Sequence, residues 1–144
     1  MPLVVVIDAS ALESILTNMP SFWEGIKRGG TKVVIGKPRL VKQYSKRIND
    51  MRRNGVLERG SHVLRHLMSL ALWVGDKNYD KSRHGFRCRE KIPRKDIHLF
   101  VAAKEAALRE NIKECLILSL DSSVIRVEQC ENGRNVRIIV KEQL

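Results

Sequence analysis

The chain opens on an unbroken apolar run, Leu3-Val4-Val5-Val6-Ile7, rich in β-branched residues. A short run of this kind reads as a strand buried on both faces, the usual state of a central strand in a parallel sheet. The period then changes. Ser10-Ala11-Leu12-Glu13 has the form of a capping box, and Leu12, Ile15, Leu16 and Met19 recur at helical spacing until Pro20. Gly29-Gly30 signals a turn, and Thr31 to Ile35 gives a second strand. Pro38 starts another helix, with Leu40, Val41, Tyr44 and Ile48 on one stripe and Arg39, Lys42, Lys46 and Arg47 around it.

Between Asn49 and Lys95 the pattern weakens. Gly55, Gly60, Gly75 and Gly85 punctuate one helix expected from Ser61 to Val74, and the remainder reads as loop. Trp23 and Trp73 fall in helical apolar stripes and are expected in the core. After Pro93 comes a helix over Asp96 to Arg109, with Leu99, Phe100, Ala103, Ala106 and Ala107 on its apolar face. Cys115 to Leu120 and Val136 to Val140 read as the last strands. Strands alternating with helices predict a three-layer α/β/α fold around a central parallel sheet of four to five strands, in a single domain over residues 1–144.

Charge is unevenly spread. The net value is +11, yet residues 26–95 hold 20 Lys/Arg against 5 Asp/Glu, while the two ends are weakly acidic. Segregation of this kind suits a polyanionic partner, since neutralising phosphates releases counterions, or else a highly charged solvated surface. Residues 77–95 hold 8 basic and 2 acidic residues with Tyr79 and Phe86 interleaved. They are expected to form a basic, partly flexible insertion around 76–95, in which Lys77, Lys81, Arg83, Arg87, Arg89, Lys91, Arg94 and Lys95 contact RNA.

The apolar runs fall short of the roughly 20 residues needed to cross a bilayer. The N-terminus lacks the basic region of a signal peptide, so a cytoplasmic protein is expected. Cys88, Cys115 and Cys130 are too scattered for a metal clip or an obvious disulfide framework, which fits a reducing compartment. Cys115, beside Leu116-Ile117-Leu118, reads as a small buried hydrophobe. No Gly-rich phosphate loop follows the first strand, which weighs against a doubly wound nucleotide-binding module.

In open α/β sheets ligands bind beyond the carboxyl ends of the strands. Asp8 ends the first strand, Asp121 ends the Leu116 to Leu120 strand, and Asp96 opens a helix. Each alone reads as an N-cap. Together at one sheet edge they would repel unless a cation lay between them, and hard oxygen ligands favour magnesium or manganese. Such an ion can activate water against a phosphodiester. His62, His66 and His84 lack the companions of a zinc site. His98 is expected at the surface or in helix packing.

These segments resemble the PIN-domain family. Val4-Val5-Val6-Ile7-Asp8-Ala9-Ser10-Ala11-Leu12 is similar to the family's opening strand and Asp, Asp96-Ile97-His98-Leu99-Phe100-Val101-Ala102-Ala103 to its later Asp and helix, and Leu116-Ile117-Leu118-Ser119-Leu120-Asp121 to its final Ser-x-Asp element. The resemblance implies a PIN-like fold and a Mg2+- or Mn2+-dependent endoribonuclease with Asp8, Asp96 and Asp121 as catalytic metal ligands. It also implies RNA as substrate, an antitoxin or an RNA-processing protein as partner, and a homodimer. Gln43 stands where the family usually has a Glu. It is therefore expected as an auxiliary residue with Ser10 and Glu13, and it leaves open a PIN-like RNA-binding subunit with weakened or no catalysis.

Overall fold

The computed structural model describes residues 3–18, 24, 28–55, 61–77, 85–133 and 136–143. The elements are β1 (Leu3–Ile7), α1 (Ala9–Asn18), β2 (Thr31–Lys37), α2 (Arg39–Arg53), α3 (Ser61–Leu70), β3 (Leu72–Gly75), a 3-10 turn (Arg94–Asp96), α4 (Ile97–Arg109), β4 (Glu114–Leu118), α5 (Ser122–Ile125), β5 (Gln129–Asn132) and β6 (Val136–Lys141). The strands form one sheet of six in the order β3-β2-β1-β4-β6-β5. All pairs are parallel except β5 with β6.

Consecutive residues are buried in three of the four inner strands, Val4 to Ile7, Val33 to Gly36 and Cys115 to Leu118, while β6 alternates. Successive side chains point to opposite faces, so unbroken burial means that both faces are covered. That is the arrangement of a three-layer α/β fold. Helix α4 packs across β1, β2, β3, β4 and β6, and α2 packs on β2 and α1. The small residues Ala102, Ala103, Ala106 and Ala107 on α4 are all buried, which allows the helix to approach the sheet closely.

The chain leaves β1 for β2 on one side, and later enters β4 on the other side of β1. The β1/β4 junction is thus the switch point of the sheet, where the crossovers diverge and leave a crevice at the carboxyl ends. Asp8 and Asp121 stand at that junction.

Several expectations need correction. The sheet has six strands rather than four to five, because Gln129–Asn132 pairs as an antiparallel edge. In that segment only Cys130 is buried, so it carries no apolar run. The helix expected to reach Val74 stops at Leu70, and Leu72, Trp73 and Val74 pair with Val34, Ile35 and Gly36. The continuous run Leu70 to Val74 suits either period, and pairing with the exposed edge of β2 decides for strand. Trp73 therefore packs against the core from a strand, with the Lys37 ammonium 5.1 Å from the ring centroid.

The cysteine expectation is also overturned in part. Cys88 and Cys130 form a disulfide with Cα atoms 5.3 Å apart, bringing together residues 42 apart in sequence. Cys115 is buried as expected, and burial pushes its thiol up to about 12. The disulfide, an antiparallel bridge between Phe86 and Asn132, and a bond from the Arg87 N–H to the Glu131 carbonyl at 2.9 Å hold residues 85–88 on the edge strand. Phe86 packs edge-on against Phe100, and Ile92 is buried. Asp76, where the insertion was to begin, is buried too. Asp76, residues 85–88 and Ile92 are therefore anchored to the fold, and Phe86 is a core residue. Tyr79, Lys81, Arg83 and His84 lie outside the described residues, as do Met19, Pro20 and Trp23 and the side chains of His62 and His66.

Candidate functional site

Asp8 follows β1 directly, and its amide donates to the Leu118 carbonyl at 2.8 Å, tying the ends of β1 and β4 together. Its Oδ2 accepts hydrogen bonds from Ser119 Oγ at 2.7 Å and Ser10 Oγ at 2.9 Å. Those hydroxyls reach onward. Ser10 Oγ accepts from the Leu120 amide at 3.0 Å, and Ser119 Oγ accepts from the Asp121 amide at 3.1 Å. The orientation of Asp8 and the turn carrying Asp121 are thus fixed by one network. This use of Ser10 excludes the expected capping box: α1 already begins at Ala9, and the Ser10 side chain turns to Asp8 and Ser119.

Asp121 caps the short α5, with Oδ1 accepting from the Ser123 amide at 3.0 Å and the Ser123 hydroxyl at 2.7 Å. Its Oδ2 accepts from Lys95 Nζ at 3.0 Å. The Ser123 hydroxyl, with help from Lys95, holds the Asp121 carboxyl below the usual range. Lys95, expected on RNA, is therefore engaged with Asp121, and its own pKa is raised by that bond and by the charges of Asp96, Asp121 and Asp8.

Asp96 differs from the other two. It is only 6% exposed, it stands at the start of α4 without making a side-chain cap bond, and its Oδ2 is buried with no hydrogen-bond partner. Burial, reinforced by the negative charge of Asp8, pushes its carboxyl up to about 6. A buried acceptor left without a donor costs on the order of 1–3 kcal/mol unless another group satisfies it.

All three Asp line one cleft of about 500 Å³, together with Ser10 and Gln43. Apart from Ala9, its remaining wall is ionic: Arg39, Lys46, Arg47 and Asp50 from α2, and Lys95. Among the described residues, no three Asp, Glu, His or Cys side chains are drawn into a ready-made metal cage. Asp121 turns to the Lys95 ammonium, while the negative charges of Asp8 and Asp121 both act on Asp96. Glu13 is exposed on α1 and does not line the cleft, which removes it from the auxiliary set.

Gln43 reaches the cleft from α2, and its Oε1 lies 3.0 Å from His98 Nε2. His98 is buried rather than superficial, and desolvation lowers its pKa. Next to Gln43, Tyr44 donates its hydroxyl to the Ile7 carbonyl and so pins α2 to the end of β1. Burial raises the Tyr44 pKa, keeping it a neutral donor. A further anchor is Asp76. It accepts from the amides of Arg39 at 2.9 Å and Leu40 at 2.8 Å, capping α2 where Pro38 offers no side-chain cap.

The structure brings the three Asp, Ser10 and Gln43 to one cleft and packs His98 between helices against Gln43, one of the two positions expected for it; the cationic wall and Asp76 were not among the expected site residues. The wall had a signal: Arg39, Gln43, Lys46, Arg47 and Asp50 recur at spacings of three and four, which puts them on one side of a helix. Asp76 had none, because its partners are 36 and 37 residues away. Of the other residues expected on RNA, Lys77, Arg87, Arg89, Lys91 and Arg94 are exposed but outside the cleft lining, and Arg87 pairs with Glu131 at 3.3 Å.

No family model and no curated protein matches the chain. Among solved structures, it is similar to the crystal structure of PAE2754 from Pyrobaculum aerophilum, with 13% identity over 96% of this chain and 92% of that one, at a TM-score of 0.49.

Proposed function

We propose that the protein is a divalent-metal-dependent endoribonuclease of the PIN type, with Asp8, Asp96 and Asp121 as the residues that would hold Mg2+ or Mn2+. The observation that carries the reading is the partnerless, buried Oδ2 of Asp96 in a cleft shared with two further carboxylates. A hard cation satisfies such an oxygen and offsets the charge of all three, and all-oxygen donors suit these two metals. When bound, the ion supplies an activated water and stabilises charge on a phosphodiester.

The chain's own residues do the rest. Ser10 and Ser119 hold Asp8 in one orientation toward the cleft. Lys95 and the α2 cations face the same space and can take the charge of phosphate oxygens as it develops.

One observation favours a second reading, an RNA-binding subunit with little or no catalysis. Gln43 brings an amide into the cleft, and its Oε1 is engaged with His98. An amide adds no charge to a metal site and cannot act as a base. Calorimetric titration of the purified chain with Mn2+ separates the two readings. A nuclease binds the ion through the Asp cleft, and Asp121→Asn weakens that binding by at least about tenfold. Absence of Mn2+ binding by the wild type contradicts the nuclease reading.

A further inference from the structure

The charge map of the structure differs from that of the sequence. Within the basic excess between residues 26 and 95, the cations of α2 and those of the 77–95 stretch have different surroundings. In the 77–95 stretch, Lys95 is bonded to Asp121 and Arg87 to Glu131, and among its described residues only Lys95 lines the cleft. On α2, Lys42, Lys46, Arg47, Arg52 and Arg53 are exposed, and none of them forms an ion pair among the described residues.

Position matters more than number. Lys46 and Arg47 form part of the wall of the Asp cleft with Arg39. At 100° per residue, Arg39, Lys42, Lys46 and Arg53 lie on one side of α2. This row of cations starts in the cleft and runs along a helix of 15 residues, about 22 Å at 1.5 Å per residue. The helix that carries the row is anchored at several points. Leu40, Tyr44 and Met51 are buried, Tyr44 bonds to the end of β1, and Asp76 caps the first turn.

A basic helix can also lie on an anionic membrane, but that requires apolar side chains beside the cations. Here the apolar residues Leu40, Tyr44 and Met51 face the core and Val41 and Ile48 pack partly buried against it, while the exposed positions 39, 42, 45, 46, 47, 49, 52 and 53 are Arg, Lys, Ser, Lys, Arg, Asn, Arg and Arg. A surface of cations without apolar anchors, continuous with a cleft suited to phosphodiester chemistry, fits the sugar-phosphate backbone of a nucleic acid.

We propose that α2 is the strand-binding surface of this protein, with Lys42, Lys46 and Arg47 holding backbone phosphates and leading the strand into the Asp cleft, while the 85–95 segment serves the fold. The proposal rests on the phosphodiester reading of that cleft.

Binding of a fluorescein-labelled single-stranded RNA 20-mer to the full chain, followed by anisotropy in EDTA across a salt series, tests it. The triple variant Lys42→Gln/Lys46→Gln/Arg47→Gln is compared with Lys77→Gln/Lys91→Gln/Arg94→Gln, which removes the same charge elsewhere, and circular dichroism melts establish that both fold. The α2 variant is expected to lose at least about tenfold in affinity at 0.1 M salt and to lower the salt slope by about 2, as three lost contacts to a single strand require. The other variant should lose less than about threefold. Equal or greater loss from the second variant, no RNA binding by the wild type, or displacement of the RNA by polyglutamate as readily as by unlabelled RNA would each overturn the proposal. If binding follows α2 but no Mn2+-dependent cleavage occurs, the surface stands and the nuclease reading falls. Cleavage with α2 and the second set equivalent gives the converse.

Discussion

Gly36 and Asp76 are packed so closely that a Cβ built on Gly36 would lie 2.4 Å from Asp76 Oδ2 and 2.9 Å from its Cβ. Only a residue without a side chain lets Asp76 reach the two amides that open α2. Gly36→Ala must therefore displace a fully buried carboxylate, and it is expected to cost about 1–3 kcal/mol in denaturant unfolding. Asp76→Ala should cost a similar amount, and the double variant clearly less than the sum, because both remove one cap. A loss below about 0.5 kcal/mol for Gly36→Ala would mean that the cap carries little of the stability.

The second prediction concerns pH. The folded pKa of Asp96, about 6, lies above its ordinary value of 3.8. The folded state thus binds the proton more tightly than the unfolded state between those values. The stabilisation tied to the protonated form is complete below about 3.8 and is lost as pH rises through about 6. In metal-free protein at pH 7.5, Asp96→Asn should raise stability by roughly 1–3 kcal/mol, and the gain should disappear near pH 4. A gain of equal size at both pH values would assign the effect to something other than ionisation.

Lys95 supplies the third. Its ammonium is bonded to Asp121 and attracted by Asp96 and Asp8, so it takes part of the role that a bound cation would have. Lys95→Met should tighten Mn2+ binding by about threefold to tenfold, since a competing positive charge is removed. Unchanged or weaker binding in calorimetry would show that the ammonium does not compete with the ion.

The fourth turns on Gln43. A glutamate at this position would add charge at the cleft while keeping an oxygen near His98 Nε2, where the Gln43 Oε1 now lies at 3.0 Å. Gln43→Glu is expected to tighten Mn2+ binding by about tenfold and to raise single-turnover RNA cleavage. Tighter binding with no cleavage would favour the binding-subunit reading.

Much of the fold was legible because β1 and β4 are buried on both faces, so Leu3 to Ile7 and Leu116 to Leu118 stand out as apolar runs bounded by Asp8 and Ser119. The edge was not. Gln129–Asn132 buries only Cys130, and Leu72–Gly75 continues the apolar pattern of the preceding helix, with the break decided by pairing to β2. At the site, residues next to strand ends could be placed, as Asp8 and Asp121 were. Contacts made across the fold could not: His98 meets Gln43 over 55 residues and Asp76 meets Leu40 over 36, and neither separation leaves a mark in local spacing. The Cys88–Cys130 pair was hidden for the same reason.

The central claim is that the Asp cleft cuts RNA with a divalent ion, and single-turnover cleavage of a labelled RNA, with and without Mn2+, tests it most directly in the wild type and Asp8→Asn. Asp8 is the choice because its Oδ2 is held by Ser10 and Ser119, and an amide carbonyl at this position can accept both bonds while losing the charge. The account predicts cleavage that requires Mn2+ and falls by at least about a hundredfold in Asp8→Asn, the scale of losing a group that acts directly on the transition state. Cleavage that persists in EDTA, or that survives Asp8→Asn, would contradict it.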